Sequence, residues 1–120
     1  MVVVTKRRVL LVDDDERLLR FARLKLITSG LDVLTATTGE SALMMVESAK
    51  PDMVVLDLRM PGMGGLEALR ALRSHSALPV LIVSAADLPP EALTLGANGY
   101  IPKPFNPDEL LREILTILDT

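Results

Sequence analysis

Asp57 closes an apolar run. In the stretch D-M-V-V-L-D-L-R-M-P-G-M-G-G, residues 52–65, Met53 to Leu56 run straight into this one carboxylate and then into a Pro-Gly turn. Asp13 and Asp14 follow a second such run, Val9 to Val12. Ser84 follows a third, Val80 to Val83, and Lys103 comes just after Tyr100-Ile101. If the runs lie side by side, three carboxylates share one space, and like charges that close hold protons with raised pKa values unless a cation is present. A hard divalent ion removes the conflict. Mg²⁺ takes a few carboxylates and waters and keeps positions open for phosphoryl oxygens, so Asp13, Asp14 and Asp57 read as an incomplete Mg²⁺ shell. Lys103 and the Ser84 hydroxyl would add one ionic and one hydrogen-bonded phosphoryl contact. A carboxylate nucleophile among them, Asp57, would form an aspartyl phosphate.

Taken singly, each residue has a plainer reading. Asp57 could simply meet solvent at a strand end, Ser84 could be a turn residue and Lys103 a solvated one. Asp15 and Glu16 read as helix N-terminal acids favoured by the dipole. His75 reads as surface, and Met44, Met45, Met60 and Met63 as packing rather than ligands. The weight lies in the convergence, which requires a particular fold.

The elements supply it. Continuous apolar runs bounded by polar residues are the pattern of parallel strands covered on both faces, and strand carboxyl ends are where open α/β sheets place their sites. Between the runs, Arg17 to Ser29 has helical apolar spacing at Leu18, Phe21, Ala22 and Leu26, closed by Gly30. Asp32 to Ala36 reads as a short strand. Thr37 with Glu40 three residues on is a capping box for a helix through Ala49, stopped by Pro51. Leu66, Leu69 and Leu72 mark a third helix, and Pro89-Pro90 opens a short fourth one closed by Gly96. Asn106-Pro107-Asp108-Glu109 starts a fifth, with an Asn cap and Pro at the first position. Five strands alternating with five helices imply a three-layer α/β fold: a parallel sheet wound by right-handed crossovers, with the flavodoxin-like order 2-1-3-4-5 expected at this length.

Composition bounds the rest. At 120 residues, 49% apolar and 24% charged, the chain fits one globular domain, 1–120, with a core large enough to be stable. The absence of cysteine excludes disulfide and thiolate chemistry and is compatible with a reducing cytoplasm. Lys6-Arg7-Arg8 follow rather than precede the apolar Met1 to Val4, and no run approaches the ~20 residues of a membrane span, so neither a signal peptide nor a membrane partner is expected. A formal charge of -3 and only Phe21, Tyr100 and Phe105 as aromatics argue against direct nucleic-acid binding.

From about Arg8 to Leu118 the chain resembles the receiver (response regulator) domains of bacterial two-component signalling. V-D-D-D after the first strand, D-L-R-M-P-G-M-G-G after the third, V-S-A after the fourth and G-Y-I-P-K-P-F at the fifth match that family in order. The resemblance implies Asp57 as phosphoacceptor and Asp13 and Asp14 as the acidic pair. It implies Asp14, Asp57 and the backbone carbonyl of Arg59 as Mg²⁺ ligands, and Ser84 and Lys103 on the phosphoryl group. Tyr100 would be the aromatic switch that turns inward when Ser84 moves toward the phosphate, and the Lys103–Pro104 peptide bond would be cis. It further implies a sensor histidine kinase as phosphodonor, self-catalysed Mg²⁺-dependent phosphorylation and dephosphorylation, a cytoplasmic location, and an output through an effector domain or a second copy. Three departures stand out: Gly64 where an acid or polar residue is usual, Pro102 where a strand N–H is usual, and a segment from Ser84 to Gly96 about one helical turn short.

Two other classes fit less well. A haloacid-dehalogenase-like phosphohydrolase needs a second carboxylate two residues after the nucleophile, and Arg59 stands there. A flavodoxin-like binding module needs a glycine- and hydroxyl-rich loop after the first strand to cradle phosphate, and Asp13-Asp14-Asp15-Glu16 would repel one. For partners, 100° per residue leaves Leu24 and Ile27 outside the buried stripe of the first helix and beside Arg17 and Arg20, a candidate kinase-docking patch. On the last helix, Leu110, Leu111, Ile114, Leu115, Ile117 and Leu118 span roughly 160°, against the about 100° one sheet face needs. The surplus, chiefly Leu115 and part of Leu111 or Ile117, is expected to stay exposed beside Tyr100 as a pairing surface formed by the fifth strand and last helix.

Overall fold

The computed structural model describes residues 6–119; the apolar Met1 to Val4 lie outside the described residues. Strands β1 (Arg8–Val12), β2 (Asp32–Ala36), β3 (Met53–Asp57), β4 (Val80–Ser84) and β5 (Gly99–Pro102) alternate with helices α1 (Glu16–Thr28), α2 (Gly39–Ala49), α3 (Gly65–Arg73), α4 (Pro90–Thr94) and α5 (Pro107–Leu118). The sheet is parallel throughout with the expected order β2-β1-β3-β4-β5. Strand periodicity divides the core in two. Val9, Leu11, Met53, Val55, Leu81 and Val83 pack with α1 and α5, while Leu10, Val12, Val54, Leu56, Val80 and Ile82 pack with α2, α3 and α4. The three central strands are therefore apolar on both faces, which is why each reads as an unbroken run. No helix among the described residues is long and apolar enough to cross a membrane.

Three local expectations need correction. On α1 the buried residues are Leu19, Ala22 and Leu26; Leu18 is half-buried and Phe21 is 67% exposed. Leu19, Ala22 and Leu26 stand at i, i+3 and i+7, one face, whereas Phe21 lies about 100° from Ala22 on the outer side. On α2 the cap is Thr38, whose hydroxyl accepts Ser41 N–H at 3.0 Å. Glu40 therefore has no capping role, and its carboxylate instead accepts the N–H of Met63 at 3.1 Å. On α5, Leu115 is 41% exposed, as expected, but not beside Tyr100. It lies about 20° around the helix from Asp108, which pairs with Lys25 of α1 at 2.5 Å. Tyr100 packs with the opposite layer, against the core shared by α2, α3 and α4. The α5 residues beside Gly99 of β5 are Ile117 and Glu113.

The short α4 is strapped to α3. Arg70 makes a bidentate contact with Glu91 at 2.7 and 2.9 Å. Arg73 donates to the carbonyls of Leu95 (2.7 Å), Gly96 (3.2 Å), Leu78 (2.7 Å) and Ser76 (3.3 Å), tying the end of α3 to the end of α4 and to the approach to β4. Burial holds the Arg73 pKa below the ordinary arginine value, though an arginine stays charged at any physiological pH.

After β3 the chain must turn at once into α3, and Gly65 makes this feasible. A Cβ there would lie 2.0 Å from the carbonyl oxygen of Asp57, whereas one at the adjacent Gly64 would meet the Leu58 oxygen at an ordinary 3.5 Å. Gly65→Ala should therefore lower stability by about 2 kcal/mol or more through forced backbone displacement, while Gly64→Ala should stay within about 0.5 kcal/mol of the parent. Urea denaturation of both variants checks this; equal midpoints would refute the close approach.

Candidate functional site at the carboxyl edge of the sheet

Register brings the sequence-predicted residues together. Val12 pairs with Leu56, so Asp13, one residue further on, falls beside Asp57 at the end of β3. Asp57 pairs with Val83, which puts Ser84 one step beyond, and Ser84 pairs with Pro102, so that Lys103 follows. The Lys103 N–H donates to the Ser84 carbonyl at 2.8 Å, and Asp13 N–H donates to Ala36 O at 3.1 Å. Pro102 sits on an edge strand, the part of a sheet that tolerates a missing N–H. The Lys103–Pro104 bond is cis.

Asp13, Asp57 and Ser84 are buried and Asp14 is exposed. One carboxylate oxygen from each of Asp13, Asp14 and Asp57 lies within 4.8 Å of the others. Lys103 Nζ enters this cluster, 2.6 Å from Asp13 Oδ2 and 3.4 Å from Asp57 Oδ2. Asp13 also accepts the Asp15 N–H at 2.9 Å, and Asp57 accepts the Arg59 N–H at 3.4 Å. Asp15 itself caps α1, accepting from Arg17 and Leu18.

Burial, and then the charge of Asp13, push the Asp57 pKa above the ordinary carboxylate value; Lys103 and the Arg59 N–H oppose this without reversing it. For Lys103 burial disfavours the charge. Its hydrogen bond to Asp13, with the attraction of Asp13 and Asp57, outweighs that and holds its pKa above the ordinary value. One ammonium thus stands among three carboxylates, leaving a surplus of negative charge in a largely buried space. The oxygen-only donor set, its spacing and its partial opening to solvent through Asp14 fit a hard divalent cation.

Tyr100 and Ser84 connect through one backbone unit. Ser84 Oγ accepts the Ala86 N–H at 3.1 Å, and the Tyr100 hydroxyl donates to the Ala86 carbonyl at 2.9 Å. Three features escaped the sequence. Ala86 contributes only backbone atoms, which carry no residue signal. Glu40 was obscured by the capping-box pattern, although two adjacent threonines, of which one caps, leave its role open. Phe21 shares the helical apolar spacing of Leu18, Ala22 and Leu26, and that spacing alone does not say which of them the sheet covers.

The pattern extends to known proteins. Residues 9–115 match the family described as response regulator receiver domain. This chain belongs to the response regulator receiver domain family. Among curated relatives, the alkaline phosphatase synthesis transcriptional regulatory protein PhoP of Bacillus subtilis is 38% identical over 116 residues, 93% of this chain and 48% of its own length. The transcriptional regulatory protein KdpE of Mycobacterium tuberculosis is 39% identical over 109 residues, 88% of this chain and 48% of its own. This receiver domain thus spans about half the length of the curated relatives it matches. Among solved structures, chemotaxis protein CheY4 of Vibrio cholerae superposes with a TM-score of 0.87 at 31% identity, covering 94% of this chain and 99% of that one. A CheY-like receiver domain protein from Methanospirillum hungatei gives 0.88 at 31%, covering 96% and 95%.

The charge surplus has a measurable sign. A carboxyl whose pKa is raised by folding takes up a proton on folding, so its charged form opposes the fold above that pKa and the opposition fades as pH falls through it. Without divalent metal, Asp57→Asn should therefore unfold at a higher temperature than the parent at pH 7. The gap should narrow as the pH falls through the raised Asp57 pKa, and about 10 mM Mg²⁺ should shrink it by stabilising the parent. Calorimetric melting at several pH values checks this; an Asn variant less stable at pH 7 would contradict it.

Proposed function

We propose that this receiver domain takes a phosphoryl group onto Asp57 from a phosphohistidine of a sensor histidine kinase and converts it into a changed surface. The observation that carries the reading is the grouping of Asp57, Asp13, Asp14 and Lys103 at the end of adjacent strands, with Ser84 one residue beyond. Asp57 attacks phosphorus with a carboxylate oxygen, the P–N bond to the donor imidazole breaks, and the imidazole nitrogen leaves with the bonding pair. Lys103, already 3.4 Å from Asp57, pairs with a phosphoryl oxygen, and the Ser84 hydroxyl donates to another. Asp13, Asp14, Asp57 and the Arg59 carbonyl would hold Mg²⁺, which when bound offsets the negative charge of both carboxylates and phosphoryl group. Positioning and charge neutralisation supply most of what such a transfer needs.

A rotation of Ser84 that carries Oγ toward a phosphoryl oxygen would give up its hydrogen bond from Ala86. Release of that bond frees the unit on which Tyr100 rests, which gives the switch a route from site to surface as a shift between pre-existing states. The kinase would dock over α1, where Leu24 (64% exposed), Phe21 and Ile27 form an exposed apolar face among Arg17 and Arg20. A groove lined by Phe21, Phe105 and Pro107 leads from there to Lys103. The relatives' names include transcriptional regulators, so an effector domain beyond this segment, acting in the cytoplasm, suits the reading.

Intact-mass measurement with acetyl phosphate and Mg²⁺ should show one added phosphate on the parent and none on Asp57→Asn. Leu24→Glu should label normally with acetyl phosphate yet accept phosphate from the cognate kinase more slowly. Equal labelling of parent and Asp57→Asn would remove the phosphoacceptor assignment, and unchanged kinase transfer to Leu24→Glu would remove the docking face.

Pairing with a second copy through β5 and α5 is a further part of the proposal, resting on the half-buried Glu113 and Ile117 beside Gly99 rather than on Leu115. Sedimentation with beryllofluoride as phosphate mimic should show association that Glu113→Lys weakens and Leu115→Arg spares. A monomer in all conditions would discard it.

A further inference from the structure

The loop joining β3 to α3 carries the Arg59 carbonyl, and it is held at two points. At its base Gly65 N–H donates to Leu58 O at 3.0 Å, with the Gly65 backbone pressed against the Asp57 carbonyl. At its far side it rests on the start of α2. Met63 N–H donates to Glu40 Oε1 across 23 residues of sequence, and the backbone at Gly39 comes so close that a Cβ there would stand 2.9 Å from the Met63 carbonyl oxygen. Gly62, in the left-handed region at φ +73°, turns the chain between these points, and a Cβ on it would stand 3.7 Å from the same Glu40 oxygen. The start of α2 is itself tied to the acidic pair, because Asp13 N–H bonds Ala36 O and only Thr37 and Thr38 separate Ala36 from the helix.

Glu40 is exposed and caps nothing, since Thr38 serves the Ser41 N–H. A first-turn acid could act only through the dipole, but this one reaches sideways to a neighbouring loop. We propose that Glu40 is a positioning residue for metal binding: its carboxylate clamps the β3–α3 loop to α2 and thereby fixes where the Arg59 carbonyl meets the cation held by Asp13, Asp14 and Asp57. The inference rests on the reading of those residues as a Mg²⁺ site. Outer groups that orient a metal's ligands govern affinity through the ligands' freedom rather than by touching the ion. A carbonyl on a clamped loop pays its ordering cost on folding, and one on a loose loop must lose that freedom on binding. What the clamp requires is an acceptor oxygen at that position, so a carboxamide can serve where a methyl cannot.

Mg²⁺ titration by calorimetry of the full 120-residue chain at fixed ionic strength, with Glu40→Ala and Glu40→Gln, tests this. Glu40→Ala should raise the Mg²⁺ Kd at least about threefold, less than the ~10–100-fold that follows loss of a group bonded directly to a ligand. Glu40→Gln should stay within about twofold of the parent, because Oε1 still accepts the Met63 N–H. Thermal melting without metal should place both variants within a few degrees of the parent, as for other exposed substitutions. Equal Mg²⁺ affinity in the parent and Glu40→Ala overturns the inference and leaves the Mg²⁺ site standing. Equal weakening in Glu40→Gln and Glu40→Ala also overturns it, since negative charge rather than the clamp would then be acting. A parent chain that binds no Mg²⁺ removes the site and the inference together.

Discussion

Mutual repulsion among Asp13, Asp14 and Asp57 is the constraint around which this domain is arranged. Burying like charges costs more than any surface contact returns, so the fold has to bring opposite charge to them. Lys103 brings part of it from β5, the edge strand, while Asp13 and Asp57 come from the central β1 and β3. Only parallel strands in this register, with all carboxyl ends at one edge, let four separate stretches of chain meet within a few ångströms. The charge that remains uncompensated is what a cation, and through it a phosphoryl group, would offset under the proposed function. Stability and reactivity are here opposing demands on the same atoms.

Strands, their order and the strand-end residues were legible in the sequence for a physical reason. A strand buried on both faces must be apolar at successive positions, so where polarity resumes, as at Asp13, Asp57 and Ser84, the resumption marks the sheet edge. Helix faces were less legible. The first helix has more apolar residues than its buried stripe needs, and Phe21 and Leu24 fall outside it because Leu19, Ala22 and Leu26 already fill the contact with the sheet. The last helix misled in the same way: the width of its apolar arc was readable, but not which flank faces β5. That depended on contacts between elements, such as the Lys25–Asp108 pair and the approach of Ile117 to Gly99. Contacts made by backbone atoms, such as Ala86 with Ser84 and Tyr100, have no residue signature at all.

Two chemically different couplings leave the site. One is direct, through the Ser84 hydroxyl to Ala86 and on to the Tyr100 hydroxyl, and it is made of single hydrogen bonds to hydroxyl groups. The other is the frame around the β3–α3 loop, built on close backbone approaches at Gly39 and Gly65 that admit little movement. A switch needs both. Under the proposed function, the Ser84–Tyr100 connection would register a phosphoryl group only if Asp57 and the residues proposed to hold the metal stay put.

Arg73 sets a limit on how this domain can be recombined with its relatives. Its planar fork serves carbonyls in two segments, and the Leu95 and Gly96 carbonyls meet it at the end of an α4 only five residues long. A chimera importing a full-length fourth helix would carry those two oxygens elsewhere and leave a partly buried guanidinium without half of its acceptors. Lysine could not repair the loss, having no flat array of donors to reach several carbonyls at once. The short helix and the arginine are thus a matched pair that must be transplanted together.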